Sequence, residues 1–248
     1  MKYNLLENET IQMTGITLYR IVAIENFGDV RKGDKGGFVE NYDNLSQEDS
    51  AWVYNDAKVY GKARVYGNAQ VRGNARVDKA QVYDNAQVYE NAYVFGDMTE
   101  VYGNAKIFGD ATVGNASLIF DDAQVYDNAE ILYGAEIYGN AQVYDSAKVN
   151  DAEVYGNAKI FGNAYVDSSV KKYEESVEII GRVEIYENAQ VYGNASIRKN
   201  TKVHGNARVY GNAYVHAFAE VYDDAQIYSY ADVFNTQIHR NLQIGGAP

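Results

Sequence analysis

Cysteine is absent from this chain of 248 residues, and proline and tryptophan occur once each. Without cysteine there is no disulfide framework, no thiolate metal site and no cysteine nucleophile. Histidine is nearly as scarce: His204, His216 and His239 are the only three. No run approaches 18 apolar residues, and the first twenty residues have no apolar signal core. A membrane span and export are therefore not expected, and the cytoplasm is the expected location. Basic residues are the minority, 22 Lys+Arg against 34 Asp+Glu, for a net charge of −12. That balance argues against a direct nucleic-acid binder. Threonine is too sparse and scattered for the flat arrays that ice binding needs.

What is abundant is tyrosine, 24 residues, and glycine, 22, and both belong to a repeat. Val65-Tyr66-Gly67-Asn68-Ala69 recurs at Val101–Ala105, Val154–Ala158, Val191–Ala195 and Val209–Ala213. The unit is six residues: aliphatic, aromatic, Gly/Asp/Glu, Asn/Asp, Ala, then a variable polar residue. The variable, aliphatic and aromatic positions alternate with period two, so they read as a short strand whose aliphatic side chain points inward. Gly-Asn and Asp-Asn tolerate positive φ and supply the turn. Ala follows as a small inward residue at the corner. One such unit cannot close a core, but stacked copies can.

The aliphatic slots run from Val53 and Val59 to Ile238 and Ile244, 33 hexads if Tyr173 and Ile179 are counted, with Val177 and Val183 then in the small slot. Three hexads per coil give about 11 coils, each with three faces. Spacings depart from six at Val77→Val82, Val94→Val101, Val149→Val154 and Val166→Tyr173. Counted in threes from Val53, all four fall between the second and third faces, which supports three strands per coil. Only Val233→Ile238 sits elsewhere in this count.

The hexad resembles the hexapeptide repeat of left-handed parallel β-helices. At the front, Leu18-Tyr19-Arg20-Ile21-Val22-Ala23-Ile24, Phe27, Val30, Gly36-Gly37-Phe38-Val39, Asn44-Leu45-Ser46 and Ala51-Trp52-Val53-Tyr54 follow in an order similar to that of the YdcK-type β-solenoids of bacteria and their phages. That resemblance implies an all-β, single-stranded left-handed parallel β-helix with a small N-terminal β-cap, and it implies no reaction. The cap is expected over residues 1–37, with strands Thr10–Met13 and Ile16–Ile24 around Thr14-Gly15. The solenoid is expected over 38–248. Gly33-Asp34-Lys35-Gly36-Gly37 lacks the phosphate-loop spacing and reads as a cap turn.

Some left-handed β-helices are acyltransferases or carbonic anhydrases, and both chemistries lean on histidine. In this count His204 and His239 share the outward slot of face two, two coils apart, and His216 lies on face one. They do not converge, so no catalytic residue, metal site or cofactor is expected. From Asp84 to Glu153 there are 13 acids against Lys106 and Lys148, whereas residues 57–79 carry six bases and one acid. Glu100, Asp121, Asp122, Glu136 and Glu153 could form an acidic surface mimicking nucleic acid toward a basic partner. Ordinary solubility of a long sheet explains the same acids.

The aromatic slot carries more information. Face three is expected to hold Tyr66, Tyr83, Tyr102, Phe120, Tyr138 and Tyr155, then Tyr192, Tyr210 and Tyr228. Face one is expected to hold Tyr89, Phe108, Tyr126 and Tyr144 among seven aromatics, and face two only Tyr60, Phe95, Tyr186 and Tyr222. Ring ladders of this kind stabilise a stack and, if exposed, exceed what monomers usually show. The expected role is a non-catalytic rigid scaffold or rod. It would present faces one and three, through those ten residues from Tyr66 to Tyr155, to a protein partner or a second copy.

Overall fold

The computed structural model describes residues 1–168 and 181–247. Among the described residues, every regular element is a strand apart from one 3-10 turn at Tyr42–Asn44. The chain divides into two compact units, Met1–Asp122 and Ala123–Pro248. Each coil gives one strand to each of three parallel sheets, for about eleven turns in all. The fold is a β-solenoid.

The first unit opens with β1 (Tyr3–Met13) and β2 (Ile16–Ala23), an antiparallel pair joined at Gly15, whose φ is 82°. β1 begins well before the expected Thr10, so the cap strand is longer than the alternation suggested. β3 (Lys35–Val39) pairs antiparallel with β2 and parallel with Lys58–Tyr60, and so carries the cap into the solenoid. Gly36 and Gly37 allow that approach: a Cβ on either would lie 2.5 Å from a backbone oxygen, of Val53 and Ala57 respectively. Tyr60 packs with Leu18 and Phe38 beneath the cap rather than facing solvent.

Four coils follow. Face one holds Trp52–Val53, Gln70–Val71, Gln87–Val88 and Lys106–Ile107. Face two holds Lys58–Tyr60, Arg76–Asp78, Tyr93–Phe95 and Thr112–Gly114. Face three holds Arg64–Val65, Gln81–Val82, Glu100–Val101 and Leu118–Ile119. Pairing is parallel and in register, with partners 17 to 19 residues apart, as Gln70↔Gln87 and Gln87↔Lys106 show. Each aliphatic slot is sealed, Val71, Val88 and Ile107 being 0% exposed, as are Ala69, Ala86 and Ala105. Burying each Val or Ile contributes about 1.5–3 kcal/mol, so a coil is stable only against its neighbours.

The second unit repeats the cycle in the same order, and here the expected register needs correction. Val154 pairs with Ile185, Ile160 with Val191 and Val166 with Ile197. Partners across this step are 31 residues apart, so no coil intervenes. Tyr173, Val177 and Ile179, expected to fill slots, lie outside the described residues, whereas Val183 does occupy a small slot opposite Ala152. Dropping the two slots counted between Val166 and Ile185 moves every later residue by two faces. Tyr186, His204, Tyr222 and His239 belong to face three, Tyr192, Tyr210 and Tyr228 to face one, and His216 to face two. The step Val233→Ile238, an exception in the sequence count, then falls between faces two and three with all the other irregular steps.

Candidate interaction surfaces

The corrected register concentrates the aromatics further. In the first unit, face three stacks Tyr66, Tyr83, Tyr102 and Phe120 with centroids 4.9–5.0 Å apart and planes within 4°. Face one stacks Tyr89 on Phe108 at 4.9 Å. In the second unit, face three stacks Tyr138, Tyr155, Tyr186, His204, Tyr222 and His239. Face one there stacks Tyr126, Tyr144, Phe161, Tyr192, Tyr210 and Tyr228. Parallel in-register strands place identical slots one strand spacing apart, which is also a stacking distance. Each pair contributes about 0.5–1.5 kcal/mol.

The rings were expected to be exposed; they are half-buried, because each covers its neighbours' faces. Burial, as the largest cause, pushes the Tyr66, Tyr89, Tyr138 and Tyr144 hydroxyls above their ordinary range and that of Tyr126 up to about 12. Burial likewise raises Tyr83, reinforced by the hydrogen bond its hydroxyl donates to Glu100 Oε2 at 2.7 Å.

Two corners carry a second ladder. Between faces three and one, Asn68, Asn85, Asn104 and Asp122 form a chain in which each amide donates to the next side-chain oxygen at 3.0–3.2 Å. Asn140, Asn157, Asn188, Asn206 and Asp224 do the same in the second unit at 3.0–3.1 Å. Between faces one and two, Asn74, Asn91 and Asp110 form one ladder and Asn163, Asn194 and Asn212 another.

The five acids proposed as an alternative surface are not brought together as free charge. Glu100 accepts from Tyr83, and Asp122 from Asn104. Asp121 sits at a turn with φ 56°. Glu136 and Glu153 converge on Arg182, whose Nη1 lies 2.7 and 3.1 Å from their Oε1 atoms, and Arg182 also donates to the Gly134 carbonyl. Sequence spacing gave no reason to pair Arg182 with those acids.

The histidines are ladder members. His204 lies between Tyr186 and Tyr222 at 4.7 and 5.2 Å, with Nε2 3.2 Å from Glu220. Tyr222 separates it from His239, and His216 is stacked on Tyr214, on another face. Among the described residues, no three His, Asp or Glu side chains are grouped to hold a metal. Among the described residues, no helix is long and apolar enough to cross a membrane.

Sequence reasoning missed two features. Met98, Tyr133 and Phe218 stand 74, 60 and 57% exposed at the corner between faces two and three, all at positive φ. The signal was a bulky residue at a turn position of the repeat, or, for Met98, in the extra residue of a seven-residue step. The second is an open recess of about 830 Å³ between residues 41–49 and 61–66, lined by Tyr42, Leu45, Arg64 and Tyr66 among others. Comparison with the models of known protein families matched none, and comparison with curated proteins gave no significant match.

Proposed function

We propose that this chain is a non-catalytic β-solenoid scaffold whose faces one and three, with the corner between them, receive a protein partner. The observation that carries the reading is the pairing of two aromatic ladders along one corner of unvarying length, while every irregular step lies at the corner between faces two and three. Insertions collect where nothing is bound, and tyrosine suits an interface because its ring packs while its hydroxyl stays wet. The order of residues at the front supports placing the chain with the YdcK-type solenoids of bacteria and phages, acting in the cytoplasm. The acidic-mimic reading is weaker, since Arg182 and the ladders engage Glu100, Asp122, Glu136 and Glu153. An acyltransferase reading is weaker still, since the histidines serve as ladder members.

The test is capture of partners from native lysate with the triple variant Tyr102→Ser, Tyr138→Ser, Tyr155→Ser. Phe95→Ser, Leu132→Ser and Phe234→Ser on face two form the control. Partner recovery is expected to fail for the first set alone. Equal recovery from both sets, with equal losses of stability, would make the ladders purely structural.

A further inference from the structure

On face three of the first unit the position before each aliphatic slot reads Arg64, Gln81, Glu100, Leu118, and these residues pair in that order across neighbouring strands. Arg64 and Glu100 thus sit one strand, about 4.8 Å, to either side of Gln81. Arg64 is exposed, its guanidinium carbon is 5.8 Å from the Tyr66 ring centre, and it has no carboxylate partner among the described residues. Glu100 accepts the Tyr83 hydroxyl but meets no cation among them.

We infer that this face is the interface of an antiparallel homodimer, a reading that rests on the docking role proposed for the aromatic faces and names a second copy of the chain as the occupant. A two-fold axis running along the Gln81–Val82 strand keeps positions along each strand and exchanges the strands on either side. Arg64 then meets Glu100 of the second copy twice, Gln81 meets Gln81, Tyr83 meets Tyr83, and Tyr66 meets Tyr102. Leu118 and Phe120, the apolar end of the column, arrive at the level of Leu45, which bridges to Val65, where the recess lies open. The opposite arrangement, with both copies pointing the same way, sets Arg64 against Arg64 and Glu100 against Glu100 and is rejected by charge. Face one lacks this symmetry. Its outward residues include Arg72 and Lys106 and no carboxylate, so no self-pairing of it matches opposite charges.

Sedimentation of the full chain should show a dimer. Arg64→Glu and Glu100→Arg should each raise its dissociation constant at least about tenfold, and the double swap should return it to within about threefold. Because the chain has no native cysteine, Gln81→Cys should cross-link to its twin through a short bis-maleimide, since facing sheets lie about 10 Å apart. Gln87→Cys on face one should not. A monomeric wild type, single reversals without effect, or equal cross-linking of both cysteine variants would overturn the dimer. Partner capture that still depends on the tyrosines would in that case leave the docking role intact.

Discussion

Two kinds of corner coexist in each coil, and the difference lies in what their hydrogen bonds join. Where face three turns into face one, and face one into face two, side chains bond from coil to coil. Asn68 donates to Asn85, 17 residues on, and Glu187 Oε2 accepts from the Gly205 N–H at 2.7 Å, 18 residues on. Where face two turns into face three, side chains mostly close their own turn. Ser117 Oγ donates to the Gly114 carbonyl at 2.8 Å, and Thr201 Oγ1 to that of Arg198 at 2.6 Å. Exceptions bond between coils without forming a ladder: Thr99 accepts from the Ala116 N–H in the next coil, Arg182 donates to the Gly134 carbonyl, and Asn44 donates to the Gly61 and Ala63 carbonyls. A ladder works only if every rung has the same length, so two corners keep six-residue spacing throughout. A self-closed turn has no such demand, and the third corner has steps of five, seven and nineteen residues.

The strongest way to break this comparison is to add a residue at each kind of corner. One glycine between Asn68 and Ala69 interrupts the amide ladder, the bond from the Asn68 N–H to the Asp84 carbonyl and the Ala69 turn. Losing several bonds at about 0.5–1.5 kcal/mol each, with the Ala seal behind them, is expected to cost roughly 3–5 kcal/mol. The same glycine between Lys79 and Ala80 should cost under about 1 kcal/mol, since lengthening a surface turn is mild. Urea unfolding reads both. Equal costs would mean that the third corner is no freer than the others.

Alkaline titration sharpens the contrast between faces. Tyrosines of the ladders are raised above their ordinary value, so the native state holds protons that the unfolded chain releases near pH 10. Their contribution is fully present below pH 10 and is lost as pH rises toward the folded values. Stability should therefore fall steeply above about pH 10. Lys2 acts in the other direction. Burial lowers its amine to about 8, though it donates to the Asp49 and Ala51 carbonyls, so its share of stability grows between pH 8 and 10.5. Tyr126→Phe with Tyr144→Phe should flatten the alkaline loss, and Lys2→Met should remove only the earlier rise. An alkaline slope indifferent to the tyrosine pair would detach the ladders from stability.

Most of the fold was legible because a period-two strand with a fixed turn leaves few alternatives. Val71, Val88, Ile107 and their kin are buried where the pattern placed them. The register after Val166 was not legible, since Tyr173 and Ile179 fit the spacing in the sequence and so shift the count for Ile185 and all that follows. Only strand pairing across the step, Ile160 to Val191, reveals that no coil lies between. The two ladders of face one and face three were readable as far as Phe161 and Tyr155; beyond that the two surplus slots put Tyr192, Tyr210 and Tyr228 on face three and Tyr186 and Tyr222 on face two. Arg182 was invisible because its acids come from coils 29 and 46 residues earlier. The recess was missed because it depends on how the 41–49 loop stands against the first coil.

The smallest expected effect separates the corners by sign. Phe218 holds φ at 66° with its ring more than half exposed, and its N–H donates to the Lys199 carbonyl at 3.2 Å, a bond that survives any side chain but proline. A left-handed conformation costs a non-glycine residue about 1–2 kcal/mol. Glycine's extra freedom when unfolded costs about 0.5–1 kcal/mol in return. Phe218→Gly should thus stabilise the second unit by roughly 0.5–1 kcal/mol, seen as a higher urea midpoint with an unchanged slope. Asn206→Ala, at the corner between faces three and one, should instead destabilise by about 0.5–1.5 kcal/mol, because it removes one rung and leaves Asn188 and Asp224 without their shared partner. Two substitutions of opposite sign, two turns apart along the chain, would establish that one corner is held by its neighbours and the other by itself. If Phe218→Gly is as costly as Asn206→Ala, the ring contributes to the fold, and the corner between faces two and three is built rather than free.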